Sequence, residues 1–342
     1  MSLDGRKLMI LSLVIERFIE TGEPVGSKYA AGKMEHSVSS ATVRNDMAAL
    51  EEAGLLEQPH ASAGRIPTHL GYRVYVDRLM RQKPLTQEEK GRIDALFNVR
   101  NADPDRLLED AAKSLAELTG FAAISTTMIP TSVTVRRVKM IPVGMRTVVI
   151  LLVASSGVIK NKVCRVDFVI NEAIVGFFEK FANSRLQGRS LDEITKEYLS
   201  AVSVSLGEYS NVFDPVLGAV YELVREINEG QYFSKGGTNL LEYSELGPAA
   251  YDLLSFIEKP REMLRLVSDM GDDTRVIIGR ESARMELAES SLLISKYRIG
   301  ESAVGAIGIV GPVRMDYARL VPHLEYFART LGKLMSDTYT EG

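Results

Sequence analysis

The chain has 342 residues, which is more than one hydrophobic core usually organises, so we expect two or three domains. Hydrophobic residues make up 45% and charged residues 25% of the sequence, and these proportions exclude disorder of the chain as a whole. The net charge of −4 does not by itself indicate nucleic-acid binding, because phosphate affinity depends on where cations cluster.

The compartment can be inferred from the cysteine content and from the lengths of the apolar segments. Cys164 is the single cysteine, so an internal disulfide is excluded. The sequence has neither a signal-peptide pattern nor an apolar run of the ~20 residues that a membrane helix needs. We therefore expect a cytoplasmic protein without membrane contact.

The N-terminal segment carries the pattern of three helices. Apolar residues recur at three- and four-residue steps from Asp4 to Glu20, which predicts an amphipathic helix that Gly22 ends. A second helix is predicted from Gly26 to Ala31. A third begins at the capping residue Ser39 and runs to Glu52. This succession is typical of a helix-turn-helix.

The third predicted helix holds the first candidates for a functional site. Val43, Met47 and Leu50 share one face, so the polar residues near the helix start turn outward. In a helix-turn-helix such residues reach base edges in the major groove. The candidates for DNA contact are Ser39, Ser40, Thr42, Arg44 and Asn45. The same residues also suit the solvated face of a small helical bundle, so both interpretations stay open at this point.

A strand, a loop and a return strand are predicted directly after the third helix. Strand patterns at 55–58 and 66–68 flank a flexible loop of small residues, and the three together form a wing. Such a loop can lie along a phosphate backbone or enter a minor groove. Its candidates for DNA contact are His60, Ser62, Gly64 and Arg65. A similar loop is otherwise common surface, but its position favours a winged helix-turn-helix DNA-binding domain at 1–83.

Strand patterns dominate the next part of the chain. Residues 84–120 are predicted as a helical linker. Four strand patterns between 121 and 169 then predict one antiparallel meander. Helical periodicity follows, and further strand patterns between 275 and 310 precede a last helix at 317–337.

This order is expected when a mainly helical unit is inserted into a sheet domain of an α+β multidomain protein. We place the sheet domain at 121–185 and 271–342, and the insertion at 186–270. Phe177, Phe178 and Phe181 form an apolar helical stripe, which suits either the core or contact with a second subunit.

The sequence gives little support for catalysis. Histidines lie at His36, His60, His69 and His323 without metal-ligand spacing, and His60 and His69 are the only weak metal candidates. Cys164 lies in a strand pattern without a nearby histidine, which favours a buried apolar role over a nucleophilic one. A phosphate-binding loop pattern does not occur. We expect neither an enzyme nor a bound cofactor.

Several linked motifs resemble the heat-inducible transcription repressors of the HrcA family. They are Thr-Gly-Glu-Pro-Val-Gly-Ser at 21–27, Val-Ser-Ser-Ala-Thr-Val-Arg-Asn-Asp-Met at 38–47, Gln-Pro-His-Ala-Ser-Ala-Gly-Arg-Ile-Pro-Thr at 58–68, and Gly-Tyr-Arg-Val-Tyr-Val-Asp at 71–77. A less sharp similarity at 308–317 extends the resemblance over nearly the whole chain. Ala61 departs from the hydroxyl residue expected in the wing, which removes at most one phosphate contact.

The resemblance implies a winged helix, a GAF-like antiparallel sheet domain, and a dimerisation domain inserted into that sheet domain. It also implies a homodimer that binds double-stranded, inverted-repeat operator DNA upstream of chaperone operons and loses activity on heat stress. A GroE-type chaperonin is implied as a second partner. The alternative is a winged-helix regulator whose GAF-like domain senses a small ligand, although the sequence shows no convergent polar pocket.

Overall fold

The computed structural model describes residues 4–34, 38–97, 103–128, 133–271, 273–282, 284–299 and 303–340. One of the histidines considered above, His36, lies outside these ranges. The described residues form a mixture of helices and antiparallel sheets. Within them we find no helix with the length and apolarity needed to span a bilayer.

The N-terminal unit, the described part of residues 4–80, is called the head. Its elements are α1 (Gly5–Thr21), α2 (Ser27–Lys33), α3 (Ser40–Glu52), β1 (Leu56–Glu57), β2 (Ile66–Pro67) and α4 (His69–Val74), which a π-helical turn extends over Tyr75–Leu79. The three predicted helices and the hairpin behind them are confirmed. Local signals explain the helix ends, since Asp4 caps α1 and the left-handed Gly22 ends it.

The rest of the chain adds eight helices and eight strands within the described residues. In chain order they are α5 (Gln87–Leu96), α6 (Pro104–Thr119), β3 (Ala122–Met128), β4 (Val135–Gly144), β5 (Thr147–Ala154), β6 (Ile159–Arg165), α7 (Glu172–Leu186), α8 (Lys196–Val204), α9 (Ser210–Glu229), β7 (Gln231–Lys235), α10 (Ala249–Ile257), α11 (Pro260–Ser268), β8 (Arg275–Ile278), β9 (Ser290–Ile299), β10 (Ala303–Pro312) and α12 (Tyr317–Thr340).

The central sheet has the strand order β7-β3-β10-β9-β8, and all its pairs are antiparallel. Alternate residues of its strands face two different cores. Ala123 and Ile307 pack on the side of α6 and α12, whereas Ile124 and Leu292 pack on the side of α10 and α11. Helices therefore cover both faces of this sheet.

A second antiparallel sheet, in the order β4-β5-β6, belongs to a separate unit. Helices α7 and α9 cover one of its faces, α8 packs on α9, and Val138, Ile150 and Phe178 lie in the core between helices and sheet. On the other face, Val149 and Leu151 of the middle strand are partly exposed. This inserted unit covers 133–229 and has its own hydrophobic core.

The division into two sheets corrects the sequence-based expectation. One meander from 121 to 169 is wrong, because β3 pairs with β7 and β10 while β4, β5 and β6 pair with one another. The expected limits, 121–185 and 271–342 around 186–270, do not coincide with the inserted unit. Periodicity cannot reveal this, because the same strand patterns suit either set of partners.

The head packs directly on the central sheet domain. Its buried residues form one continuous hydrophobic cluster with those of α6, α12 and one sheet face. Tyr72 of α4 lies edge-on against Tyr317 of α12, with 6.0 Å between ring centroids. Helix α6, predicted as part of a linker, packs on β3 and β7. The head is therefore held in one orientation.

Candidate nucleic-acid interface

Helix α3 begins at a well-formed cap. The hydroxyl oxygen of Ser39 accepts a hydrogen bond from the Thr42 amide at 3.1 Å, and the two hydroxyl oxygens lie 2.9 Å apart. Because the first amides of a helix have no partner within it, this bond fixes where the helix begins. The predicted start at Ser39 is confirmed.

The outward face of α3 is polar and open. Ser40, Arg44 and Asn45 are exposed, and Thr42 is partly exposed. Their orientation agrees with the periodicity, because Val43, Met47 and Leu50 are buried on the opposite side. In the described residues Arg44 has no ion-pair partner, so its guanidinium is free to donate hydrogen bonds to another molecule.

A buried carboxylate attaches α3 to α1. Asp46 accepts hydrogen bonds from the Arg6 guanidinium at 2.7 and 3.3 Å, and the Lys7 ammonium lies 3.8 Å away. The bond to Asp46 raises the pKa of Arg6 above its usual value. Sequence reasoning missed this contact, although Asp46 lies three residues after Val43 on the inner face. The contact holds α3 in a defined position.

Local hydrogen bonds from the Gln58 side chain and from the backbone order the tip of the hairpin. The Gln58 side-chain amide donates to the carbonyl oxygens of Ala61 and Ala63, both at 3.0 Å. The Ala63 amide donates to the carbonyl of His60 at 2.8 Å. His60 and Ser62 project from this turn and are exposed. The loop predicted to be flexible is therefore constrained at its tip.

Gly64 and Arg65 lie at the base of the hairpin and not at its tip. Arg65 and Val25 exchange two backbone hydrogen bonds of 2.9 Å, which form an isolated antiparallel bridge beside the hairpin. A Cβ on Gly64 would lie 2.4 Å from the Val25 carbonyl carbon, so the close approach requires glycine. The Arg65 guanidinium binds Glu51 of α3, with Nε 2.9 Å and Nη2 2.8 Å from Oε2.

Further cations lie on α2, which packs on α3. Lys28 and Lys33 are exposed, and neither has an ion-pair partner in the described part of the chain. Neither lysine is among the residues predicted from the sequence to contact DNA, since those lie on the third helix and in the loop behind it. With Arg44 they supply positive charge that the head itself does not neutralise.

The other candidates do not form a chemical site. In the described ranges no group of three His, Cys, Asp or Glu residues could hold a metal ion, and His69 instead packs against Gly279. Cys164 is buried, and burial raises the pKa of its thiol, which disfavours the reactive thiolate. The head is therefore the best-supported functional surface.

Comparison with known proteins points in the same direction. Residues 105–321 match the family model described as "HrcA protein C terminal domain". A heat-inducible transcription repressor HrcA of Acetivibrio thermocellus is 32% identical over 95% of this chain and 94% of its own. Its counterpart in Clostridium perfringens strain 13 is 33% identical over 98% and 99%.

A solved structure described only as a hypothetical protein shares the fold. It is 25% identical, covers 98% of this chain and all of its own, and superposes with a TM-score of 0.66. The family model covers more than half of the chain, and the relatives extend over its whole length. Such relatives are repressors and not enzymes, as the sequence predicted. This chain belongs to the HrcA family of heat-inducible transcription repressors.

Proposed function

We propose that the protein represses chaperone operons as a cytoplasmic homodimer that binds an inverted-repeat operator through a winged helix-turn-helix in the head. The observation that carries this proposal is the geometry of α3. The helix is capped at Ser39, bound to α1 through Asp46, and presents Arg44 and Asn45 to solvent. A fixed helix with an open polar face is what major-groove recognition requires.

The candidate residues divide into two roles. Ser40, Arg44 and Asn45 suit contact with base edges, and an arginine beside guanine can donate two hydrogen bonds. Ser39 and Thr42 at the helix N-terminus, and His60 and Ser62 at the hairpin tip, suit contact with phosphates. Gly64 and Arg65 shape the wing, because Gly64 lies against Val25 and Arg65 is bonded to Glu51.

A second copy of the chain fits an aromatic patch on the inserted unit, formed by Phe177, Phe181 and Tyr209. Phe177 is 47% and Tyr209 60% exposed, and the Phe177 ring lies about 6 Å from the rings of Phe181 and Tyr209. Exposed aromatic clusters of this kind mark protein contacts. In this assignment the inserted unit is the dimerisation domain and the central sheet is the GAF-like domain.

A gel-shift titration tests the proposed function. The probes are the inverted repeat found upstream of a chaperone operon and a scrambled duplex of equal length. We expect preference for the repeat by a factor of about 10³ or more. The mass of the complex should equal two chains per duplex, and Phe177→Ser should yield monomers. Equal affinity for both duplexes would refute operator recognition, and monomeric binding would refute the dimer.

The chaperonin proposal depends on the family resemblance alone. Its test is to heat the purified repressor and follow operator binding during recovery, with and without added GroE-type chaperonin. Assistance predicts faster or fuller recovery with chaperonin. Identical recovery would remove the chaperonin from the mechanism.

A second candidate function is control by a small ligand. A cavity of about 290 Å³ lies where α1 of the head meets the central sheet domain, with Ile19, Tyr243, Arg314 and His323 in its wall. A ligand there would contact both units at once. A thermal-shift screen against metabolites tests this, because a ligand at 100 times its Kd stabilises the folded state by ~2.7 kcal/mol. Shifts with no accompanying change in operator affinity would refute control by that ligand.

A further inference from the structure

An ion pair and several hydrogen bonds attach the head to the central sheet domain. Arg73 of α4 binds Glu281 through two nitrogens, with Nε 2.7 Å from Oε1, and its Nη2 also donates to the carbonyl of Val276. Glu281 in turn accepts from the Ile278 amide at 2.8 Å. A paired arginine and carboxylate that also bind backbone groups define an orientation more closely than a single ion pair does.

Glycine and aromatic packing surround this ion pair. Gly279 has a φ of +56°, and a Cβ there would lie 2.4 Å from Nδ1 of His69 in α4. Tyr72 packs on Tyr317, as described above. We call the contact of His69, Tyr72 and Arg73 with Val276, Gly279, Glu281 and Tyr317 the head contact. Its close fit opposes rotation of the head while the contact holds.

A second polar contact lies at the other end of the head. Arg314 donates to the carbonyl of Ile19 in α1 at 2.9 Å and is paired with Glu245. The Lys83 amide donates to the carbonyl of Ala318 at 2.9 Å, so the connection behind the head is also attached. These bonds support the head contact, but Arg73 joins the two units most directly, because it binds both a side chain and a backbone carbonyl of the other unit.

We propose that the head contact sets the spacing of the two operator half-sites that the repressor accepts, with Arg73 and Glu281 as its positioning residues. This inference rests on the proposed function, since it requires a dimer on an inverted repeat. A dimer recognises two half-sites at a separation and rotation that its own geometry fixes. If each head is rigidly attached to its central sheet domain, the attachment fixes the separation and rotation of the two heads within the dimer.

DNA geometry makes the consequence measurable. Adding half a helical turn, about 5 bp, between the half-sites moves the second one to the opposite side of the duplex. A docked head cannot follow it. A released head could follow it if the Lys83–Ala318 bond also opened, because residues 81–86 between the head and α5 form neither helix nor strand and can span up to roughly 3.3 Å per residue. Loss of the head contact should therefore broaden the range of accepted spacings.

The test measures equilibrium affinities of the full-length chain by fluorescence anisotropy. The probes are the inverted repeat, versions with the spacer longer by about half a turn and a full turn, and a duplex with one half-site scrambled. We expect the wild-type protein to lose about 10²-fold or more in affinity on the half-turn spacer. Arg73→Ala and Glu281→Gln should each reduce this discrimination about tenfold, and the double variant should add little because the two residues act together.

Two further variants distinguish an effect on the orientation of the head from a general effect of removing a charged side chain. Gly279→Ala keeps both charged residues but collides with His69, so it should broaden spacing in the same way. Arg92→Ala removes a guanidinium from an exposed pair with Glu88 on α5 and should leave discrimination unchanged.

The outcomes distinguish this inference from the proposed function. Unchanged affinity for the single half-site with broadened spacing supports the inference. The inference is overturned if the variants discriminate between spacer lengths as strongly as the wild type does. It is also overturned if their affinity for a single half-site falls as much as their affinity for the inverted repeat. If the wild-type protein does not prefer the inverted repeat over scrambled DNA, the proposed function fails instead.

Discussion

Replacing Asp46 by alanine should loosen α3, the helix proposed to contact DNA, without removing any of the side chains proposed to contact DNA. The carboxylate accepts two hydrogen bonds from Arg6, and its side chain is only 8% exposed. Hydrogen bonds to charged groups contribute about 1.5–3 kcal/mol. Because the Arg6 side chain is 46% exposed, solvent screening reduces this value, and we expect a loss of about 1–2 kcal/mol.

The loss should appear as local opening of α3. Amide hydrogen exchange of the full-length chain, followed on peptides from 40–52, measures the free energy of that opening. A loss of 1–2 kcal/mol corresponds to about 5- to 30-fold faster exchange. Peptides from the inserted unit provide the internal control, because its core is separate from that of the head.

A double-mutant cycle identifies the cause. If the bonds between Arg6 and Asp46 carry the effect, Arg6→Ala and Asp46→Ala should be non-additive by about 0.5 kcal/mol or more. Fully additive effects, or unchanged exchange in 40–52, would show that the contact does not hold α3. Operator affinity should fall alongside the opening, and affinity for random DNA should fall less, because the proposed base contacts lie on α3.

The other predictions concern base contact, the wing and the head contact. Arg44→Ala should lower operator affinity by roughly 1–3 kcal/mol and affect random DNA much less, and equal losses on both in a gel shift would place Arg44 on phosphate. Arg65→Ala should leave the salt dependence of binding nearly unchanged, because its guanidinium is bonded to Glu51. A slope smaller by about one unit would instead show a phosphate contact. Tyr72→Phe should stabilise the head contact by about 1 kcal/mol, because the buried Tyr72 hydroxyl has no hydrogen-bond partner in the described residues. Faster exchange of the α4 amides in that variant would contradict this.

Local sequence signals were sufficient for the elements of the head. The Ser39 cap, the spacing of Val43, Met47 and Leu50, and the glycine at position 22 act within one or two turns of chain, so they can be recognised without the fold. The same signals predicted the outward orientation of Arg44 and Asn45. These signals could not show whether the exposed face of α3 binds DNA or only contacts solvent. The proposal that it binds DNA came from the family resemblance.

The roles of Gly64 and Arg65 show where local signals end. From the sequence both belonged to a flexible basic loop, since small residues and an arginine follow one another there. Only the fold brings Val25 beside Gly64 and Glu51 beside Arg65. Val25 and Glu51 lie elsewhere in the chain, and the hydrophobic periodicity of the sequence does not indicate that they contact Gly64 and Arg65.

The sequence by itself predicted the helices and the hairpin of the head, where α3 begins, and which residues of α3 point outward, but it did not predict β7. The tertiary structure decided which strands share a sheet, how the head is attached, and which charged groups are neutralised. Strand patterns at 122–128 and 135–144 look alike, yet the first pairs with β7 and β10, far along the chain. Hydrophobic periodicity reflects only residues a few positions apart in the sequence. The pairing of strands depends on which distant apolar surfaces can be buried together, so only the folded chain determines the strand partners.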